Sequence, residues 1–290
     1  MSARLRGIAR QNEEIIKAGG YRSPSGREVP LAEAVAAAVA GTEMFGPEPV
    51  PVPVAGLRRD GTKVKLSAAA TPTATAFEVT AESSTLAARR LARTGPVAVL
   101  NFASARNPGG GYVNGAQAQE EALCRASALY PTLLRVPDFY AHHRAERSAF
   151  YTDRVIHSPA VPVFRDDRGR LLDEPYTAGF LTCPAPNAGV IRRREPEEAA
   201  CIPAVLAARA ERVLETAAAC GYPQLVLGAW GCGVFQNDPA QVAAAFRTLL
   251  TGDGRFSGHF DRVVFGVLDR RPDSPTRVAF AEAFADQVQP

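Results

Sequence analysis

Glu120 and Glu121 stand side by side behind Gln119, and seven residues separate that trio from three consecutive glycines, Gly109, Gly110 and Gly111. Positioned carboxyl groups serve general acid–base chemistry, giving a proton to a departing atom and taking one from water. Consecutive helix residues point about 100° apart, so two adjacent carboxylates cannot meet one atom in the same way and must have different jobs. A glycine triplet loses more backbone freedom on folding than other residues would. It also exposes N–H groups with no Cβ in the way, which lets backbone approach a ligand closely. A helix start behind it adds unpaired N–H groups and partial positive charge, which suits an anion such as a phosphate. The same residues allow a plainer reading. Carboxylates in a first turn stabilise the helix dipole by about 0.3–1 kcal/mol, and glycines turn the chain.

The elements that must position these groups follow from the pattern around them. Val97-Ala98-Val99-Leu100 is an apolar strand that gives way to Asn101 and the glycine loop, and Leu123, Ala126, Ser127 and Tyr130 repeat at helical spacing after the glutamates. A second strand, Leu225-Val226-Leu227, feeds Gly228-Ala229-Trp230-Gly231-Cys232-Gly233-Val234-Phe235, and Asp238, Pro239 and Gln241 predict an N-cap, a first-turn proline and a capping-box partner. In open α/β sheets ligands bind beyond the carboxyl ends of strands, so two such loops could clasp one nucleotide. The alternative is a tight turn with Trp230 and Phe235 as core filler.

Elsewhere, helices are predicted over Ala3–Ala18, Leu31–Ala40, from Ser83 or Ser84 to about Arg93, over Glu197–Cys220 and after Ser274-Pro275. Pro47 to Val54 reads as an extended edge segment or linker. Phe77–Thr80, Val155–Phe164, Gly179–Thr182 and Val263–Leu268 read as extended or strand. Strand and helix in alternation predict an α/β chain, a three-layer sandwich. Residues 1–55 form an accessory helical extension in this reading, and 56–290 the main domain.

Composition excludes several classes. With 46% hydrophobic and 22% charged residues the chain is ordinarily globular. A net charge of +3 is too mild to argue for nucleic acid, and no sequence-specific nucleic-acid binding is expected. Five cysteines without a C-x-x-C pair fit a reduced, cytoplasmic setting. No stretch approaches the ~20 apolar residues of a membrane span. His142-His143 is expected to be a solvated surface pair, and His157 and His259 structural, with no metal site. Cys232 has no nearby base in sequence and is expected to be a small side chain needed for space. The glycines do not form G-x-G-x-x-G, which argues against a dinucleotide dehydrogenase.

The spacing of Gly109-Gly110-Gly111 and Gln119-Glu120-Glu121, with the preceding Asn101 to Pro108 and the stretch Pro184 to Gly189, resembles the signature of bacterial-type poly(ADP-ribose) glycohydrolases of the macrodomain superfamily. The resemblance covers about residues 75 to 288 and implies a macrodomain-like α/β/α sandwich with a mixed sheet. It implies that Gly109, Gly110 and Gly111 hold the terminal ribose, that Gly231, Cys232, Gly233, Val234 and Phe235 hold the diphosphate, and that Phe235 lies against that ribose. Glu121 is then the acid and afterwards the base, Glu120 orients hydroxyls, and Asn101, Asn107, Asn114 and Gln119 are ligand-binding candidates. The implied substrate is poly(ADP-ribose), carried on proteins and trimmed from its end to ADP-ribose, without metal or cofactor. A macrodomain that binds ADP-ribose without cleaving it, and a hydrolase of single ADP-ribose units, are the alternatives. The intact Glu121 favours a hydrolase.

Overall fold

In a computed structural model the chain is described for residues 2–52, 74–269, 271 and 273–288. The boundary expected at residues 55/56 lies outside them, as do Pro53 and Val54. The chain begins with α1 (Ala3–Ala18), a small hairpin of β1 (Gly20–Arg22) and β2 (Glu28–Pro30), α2 (Ala32–Ala40) and β3 (Glu43–Phe45). There follow β4 (Ala76–Thr80), α3 (Ser84–Leu91), β5 (Val97–Phe102), a 3-10 turn (Tyr112–Asn114), α4 (Gln119–Ala126), α5 (Leu129–Leu134) and α6 (Pro137–Ala145). The second half holds β6 (Val155–Arg165), β7 (Leu171–Cys183), α7 (Ala188–Arg194), a 3-10 turn (Pro196–Cys201), α8 (Ile202–Ala219), β8 (Gln224–Gly228), α9 (Pro239–Leu250), β9 (Arg262–Gly266) and α10 (Pro275–Ala283).

Seven strands form one mixed sheet in the order β3-β6-β7-β5-β8-β9-β4. β3, β6 and β7 pair antiparallel, and the run from β7 through β5, β8 and β9 to β4 is parallel. Period-two alternation splits each central strand between two cores. Ala98, Leu100, Leu225, Leu227, Val263 and Phe265 face the layer that contains α7 to α10. Val97, Val99, Val226 and Val264 face the layer built from α1 to α6. Strands buried on both faces read as continuous apolar runs, which is why β5, β8 and β9 are visible in the sequence. This is the expected three-layer α/β/α sandwich.

Three expectations are corrected. α4 does not run on to Tyr130. It stops at Ala126, because Ser127 turns extended, donates its hydroxyl to the Leu123 carbonyl at 2.7 Å and accepts the Leu129 N–H at 3.2 Å. This is the local competition by which serine ends helices. The described residues from Pro47 to Val52 are in no strand, and Val50 is buried with its N–H donated to Glu215. At α9 Asp238 caps as predicted, but the Gln241 carboxamide oxygen is buried without a partner, so no capping box forms. The N-terminal residues also reach the sheet, since β3 is its edge strand and α1 packs beside α4. No helix among the described residues is long and apolar enough to cross a membrane.

Candidate active site

The parallel strands β5 and β8 are neighbours, so the loops that leave their carboxyl ends emerge side by side. Their approach is close: a Cβ on Gly228 would lie 3.2 Å from the Phe102 ring and 2.5 Å from the Gly266 carbonyl.

The first loop folds back onto the start of α4. Gln119 secures that junction, accepting the Phe102 N–H at 2.9 Å and donating to the Leu100 carbonyl at 2.8 Å and to Ser84 at 3.1 Å. The amide of Gln119 thus fastens the helix to the end of β5. Glu120 is buried. Its carboxyl accepts the Ser104 N–H at 2.7 Å and the Asn101 side-chain N–H at 3.3 Å, while Asn101 also reaches Thr182 at 3.1 Å. Burial, reinforced by the charge of Glu121, pushes the Glu120 pKa up to about 8 against the pull of those donors. Glu120 therefore keeps its proton near neutrality. The other carboxamide atom of Asn101, Oδ1, is buried without a partner, a polar group left available next to Glu120.

Glu121 is held by backbone. One oxygen accepts the Gly111 N–H at 2.9 Å and the other the Ala118 N–H at 3.0 Å. Between the two carboxyl groups lies Gly110, with φ of +56°; a Cβ there would meet Glu121 at 2.6 Å and Glu120 at 3.0 Å. Gly109, φ +64°, is backed as tightly by Tyr130 at 2.9 Å and Cys124 at 3.2 Å. These two positions accept nothing larger than glycine. Asn107 exposes its side chain, while its N–H donates to Ser104 and its carbonyl accepts the Gly110 N–H. Asn114 is exposed on the 3-10 turn, next to Gly115, which packs against Ser2 and Arg6 of the N-terminal segment. Neither side chain is joined to the glutamates by a hydrogen bond, whereas Asn101 is.

The second loop is anchored at its base and open at its tip. Trp230 is buried and donates to the Cys183 carbonyl at 2.9 Å; Asn237 donates to the Pro186 carbonyl at 2.8 Å and closes tightly on Gly231. Gly233 has nothing within 4 Å of its Cβ direction, and Val234 is 81% exposed. Phe235 is half-buried, its ring 5.9 Å from that of Tyr151. Burial raises the Cys232 thiol to about 12, so it is no nucleophile near neutrality.

Tyr151 is a residue that sequence reasoning missed, and its support corrects another expectation. His143 is fully buried, not solvated. Its Nδ1–H donates to the Phe139 carbonyl at 2.8 Å, Nε2 accepts from Thr152 at 2.8 Å, and its ring packs against Tyr151. Burial pushes its pKa down to about 4, so it stays neutral. Arg209, buried on α8, reaches Asp153 at 2.9 Å and the carbonyls of Phe150 and Pro184 at 2.7 and 3.0 Å. Together they hold Tyr151 at a φ of +60° beside Phe235. The histidine pair sits amid charged residues, and only tertiary packing distinguishes its members. The one available signal was the aromatic Phe150-Tyr151 that follows.

Comparison with known proteins identifies related chains. The model for the catalytic domain of microbial-type PARG matches residues 9–166, so the likeness reaches well N-terminal of residue 75. The chain is similar to poly(ADP-ribose) glycohydrolase from Thermomonospora curvata, at 50% identity and a TM-score of 0.86, covering 98% of this chain and 100% of that one. The T. curvata protein bound to the inhibitor ADP-HPD matches at 49% and 0.85 over 98% and 100%. Poly(ADP-ribose) glycohydrolase from Deinococcus radiodurans in complex with ADP-ribose matches at 44% and 0.77, covering 90% and 100%. No curated protein matches the chain. With a family match across more than half its length and half its residues identical to a solved relative, the chain belongs to the microbial-type poly(ADP-ribose) glycohydrolases.

Proposed function

We propose that this chain hydrolyses the ribose–ribose O-glycosidic bonds of poly(ADP-ribose) on modified proteins, with Glu121 as general acid and then base. The observation that carries the assignment is the placement of both carboxyl groups against Gly110, where the absent Cβ lets the two acids close on the glycine loop. Glu121 gives a proton to the departing 2′-oxygen as the anomeric carbon becomes oxocarbenium-like, and its carboxylate then takes a proton from the attacking water. Two backbone N–H groups fix the direction of that carboxyl. Glu120 orients ribose hydroxyls from its buried place beside Asn101 and Ser104. Gly231 to Phe235 hold the diphosphate through backbone N–H groups, and Phe235 lies against the ribose. Gly109 to Gly111, Asn101, Asn107, Asn114 and Gln119 complete the ligand shell, Gln119 through the strand end that it fastens.

Tyr130 and Cys124 fill the space behind Gly109. That closed side supports a terminal ribose and release of ADP-ribose from the chain end. A reduced, cytoplasmic setting fits five cysteines of which none is in a disulfide. The deciding experiment is turnover of defined-length polymer by Glu121→Gln beside its affinity for ADP-ribose. Turnover should fall at least 10²–10⁴-fold while the dissociation constant changes by less than about threefold, and unimpaired turnover ends the assignment.

A further inference from the structure

On the sheet face opposite α4, three side chains far apart in sequence meet. β3 and β6 pair with Glu43 directly across from His157, and directly opposed residues share a face. His157 is in turn opposite Leu181, which belongs to the core beneath α7 to α10, so the pair looks toward α8. There Cys220, at the end of α8, brings its sulfur to 3.4 Å from His157 Nδ1. One carboxylate oxygen of Glu43, a ring nitrogen of His157 and the Cys220 sulfur all lie within 4.8 Å of one another. The remaining ring nitrogen, Nε2, is 2.8 Å from the Tyr222 hydroxyl.

A metal-ligating histidine is held in this way, with one nitrogen fixed by an outer hydrogen bond and the other turned to the ligand set. Thiolate, imidazole and carboxylate together select zinc over magnesium or calcium. Zn–S and Zn–N bonds of about 2.3 and 2.0 Å put sulfur and nitrogen roughly 3.5 Å apart around a tetrahedral ion, close to the separation found. Glu43 is exposed, which gives an ion a path from solvent.

We propose that Glu43, His157 and Cys220 form a zinc-binding site that clips the edge strand β3 to the end of α8, on the opposite face of the sheet from the catalytic carboxylates. Binding is an exchange without redox change: the thiol of Cys220 releases its proton to solvent as the sulfur–zinc bond forms. The test is equilibrium dialysis of the full chain, freed of metal by chelation, against Zn²⁺, together with absorption spectra on adding Co²⁺. One equivalent of zinc per chain and a thiolate-to-cobalt charge-transfer band are expected. Cys220→Ser should abolish the band, and Glu43→Gln, an exposed change that leaves the core intact, should weaken zinc binding at least tenfold. Failure to retain zinc, or equal retention by the parent and Glu43→Gln, overturns the proposal.

Discussion

The two glycine loops leave neighbouring strands and look alike in sequence, yet they are built in opposite ways. In the first, almost every backbone donor near the glycines has an internal partner, and the space a side chain would need is taken by carboxyl groups, Tyr130 and Cys124. In the second, the base is locked by Trp230 and Asn237 while Gly233 and Val234 stand in the open. A loop that fixes reacting groups must be over-determined, because a 1 Å misplacement costs about 10²-fold in rate. On the reading proposed above the second loop wraps a diphosphate, a task that needs accessible N–H groups and a firm footing.

The contrast is sharpest at single atoms. Gly110→Ala puts a Cβ between the two carboxyls at a positive φ, and turnover should drop at least 10²-fold, with a stability loss of about 1–3 kcal/mol; wild-type turnover would show that the first loop yields. Glu120→Gln probes the same crowding through pH. The folded-state pKa of about 8 exceeds the ordinary 4.5, so below the ordinary value folded and unfolded chains are equally protonated. As pH rises from there to about 8, only the unfolded chain releases the proton, and the fold loses stability by an amount on the order of a few kcal/mol. Glu120→Gln removes that loss. Its thermal midpoint should exceed the parent's above about pH 8 and converge with it near pH 5; parallel curves would place the Glu120 carboxyl in water.

Smaller effects belong to the second loop. Phe235→Ala should weaken ADP-ribose binding about tenfold, as loss of an aromatic contact does, with turnover at saturation nearly kept; a calorimetric titration that shows no change would remove Phe235 from the ligand. Gly233→Ala, with open space around it, should alter affinity by less than about threefold. A large loss there would mean that the tip closes on the ligand as tightly as the first loop closes on Glu121.

Much of this was legible because it is local. Apolar runs at β5, β8 and β9, the stop at Gly19, the Asp238 cap and the spacing of glycines to glutamates all act over a few residues. What the sequence concealed depends on distant partners. Polar Asp173 and Glu174 and the prolines of β6 hid the long β6–β7 pairing. Three-residue β3 has no periodicity to read. His143 looked solvated because its sequence neighbours are, while its surroundings are Phe139, Thr152 and Tyr151. The site was legible in its glutamates and not in its positioning: Gln119 as the fastener of β5, Ser104 as a donor and Arg209 as the brace of Tyr151 all follow from tertiary contacts.

Asn12, buried on α1, donates to the carbonyls of Cys124 and Arg125 at 3.3 and 2.8 Å, and Arg165 of β6 donates to Asn12 at 2.6 Å. The last turn of the helix bearing both glutamates is thus completed by a side chain more than a hundred residues earlier. The helix that carries both glutamates is consequently tied at its far end to the N-terminal helix and, through the same asparagine, to β6, so the first glutamate-bearing turn is anchored from both ends of its helix.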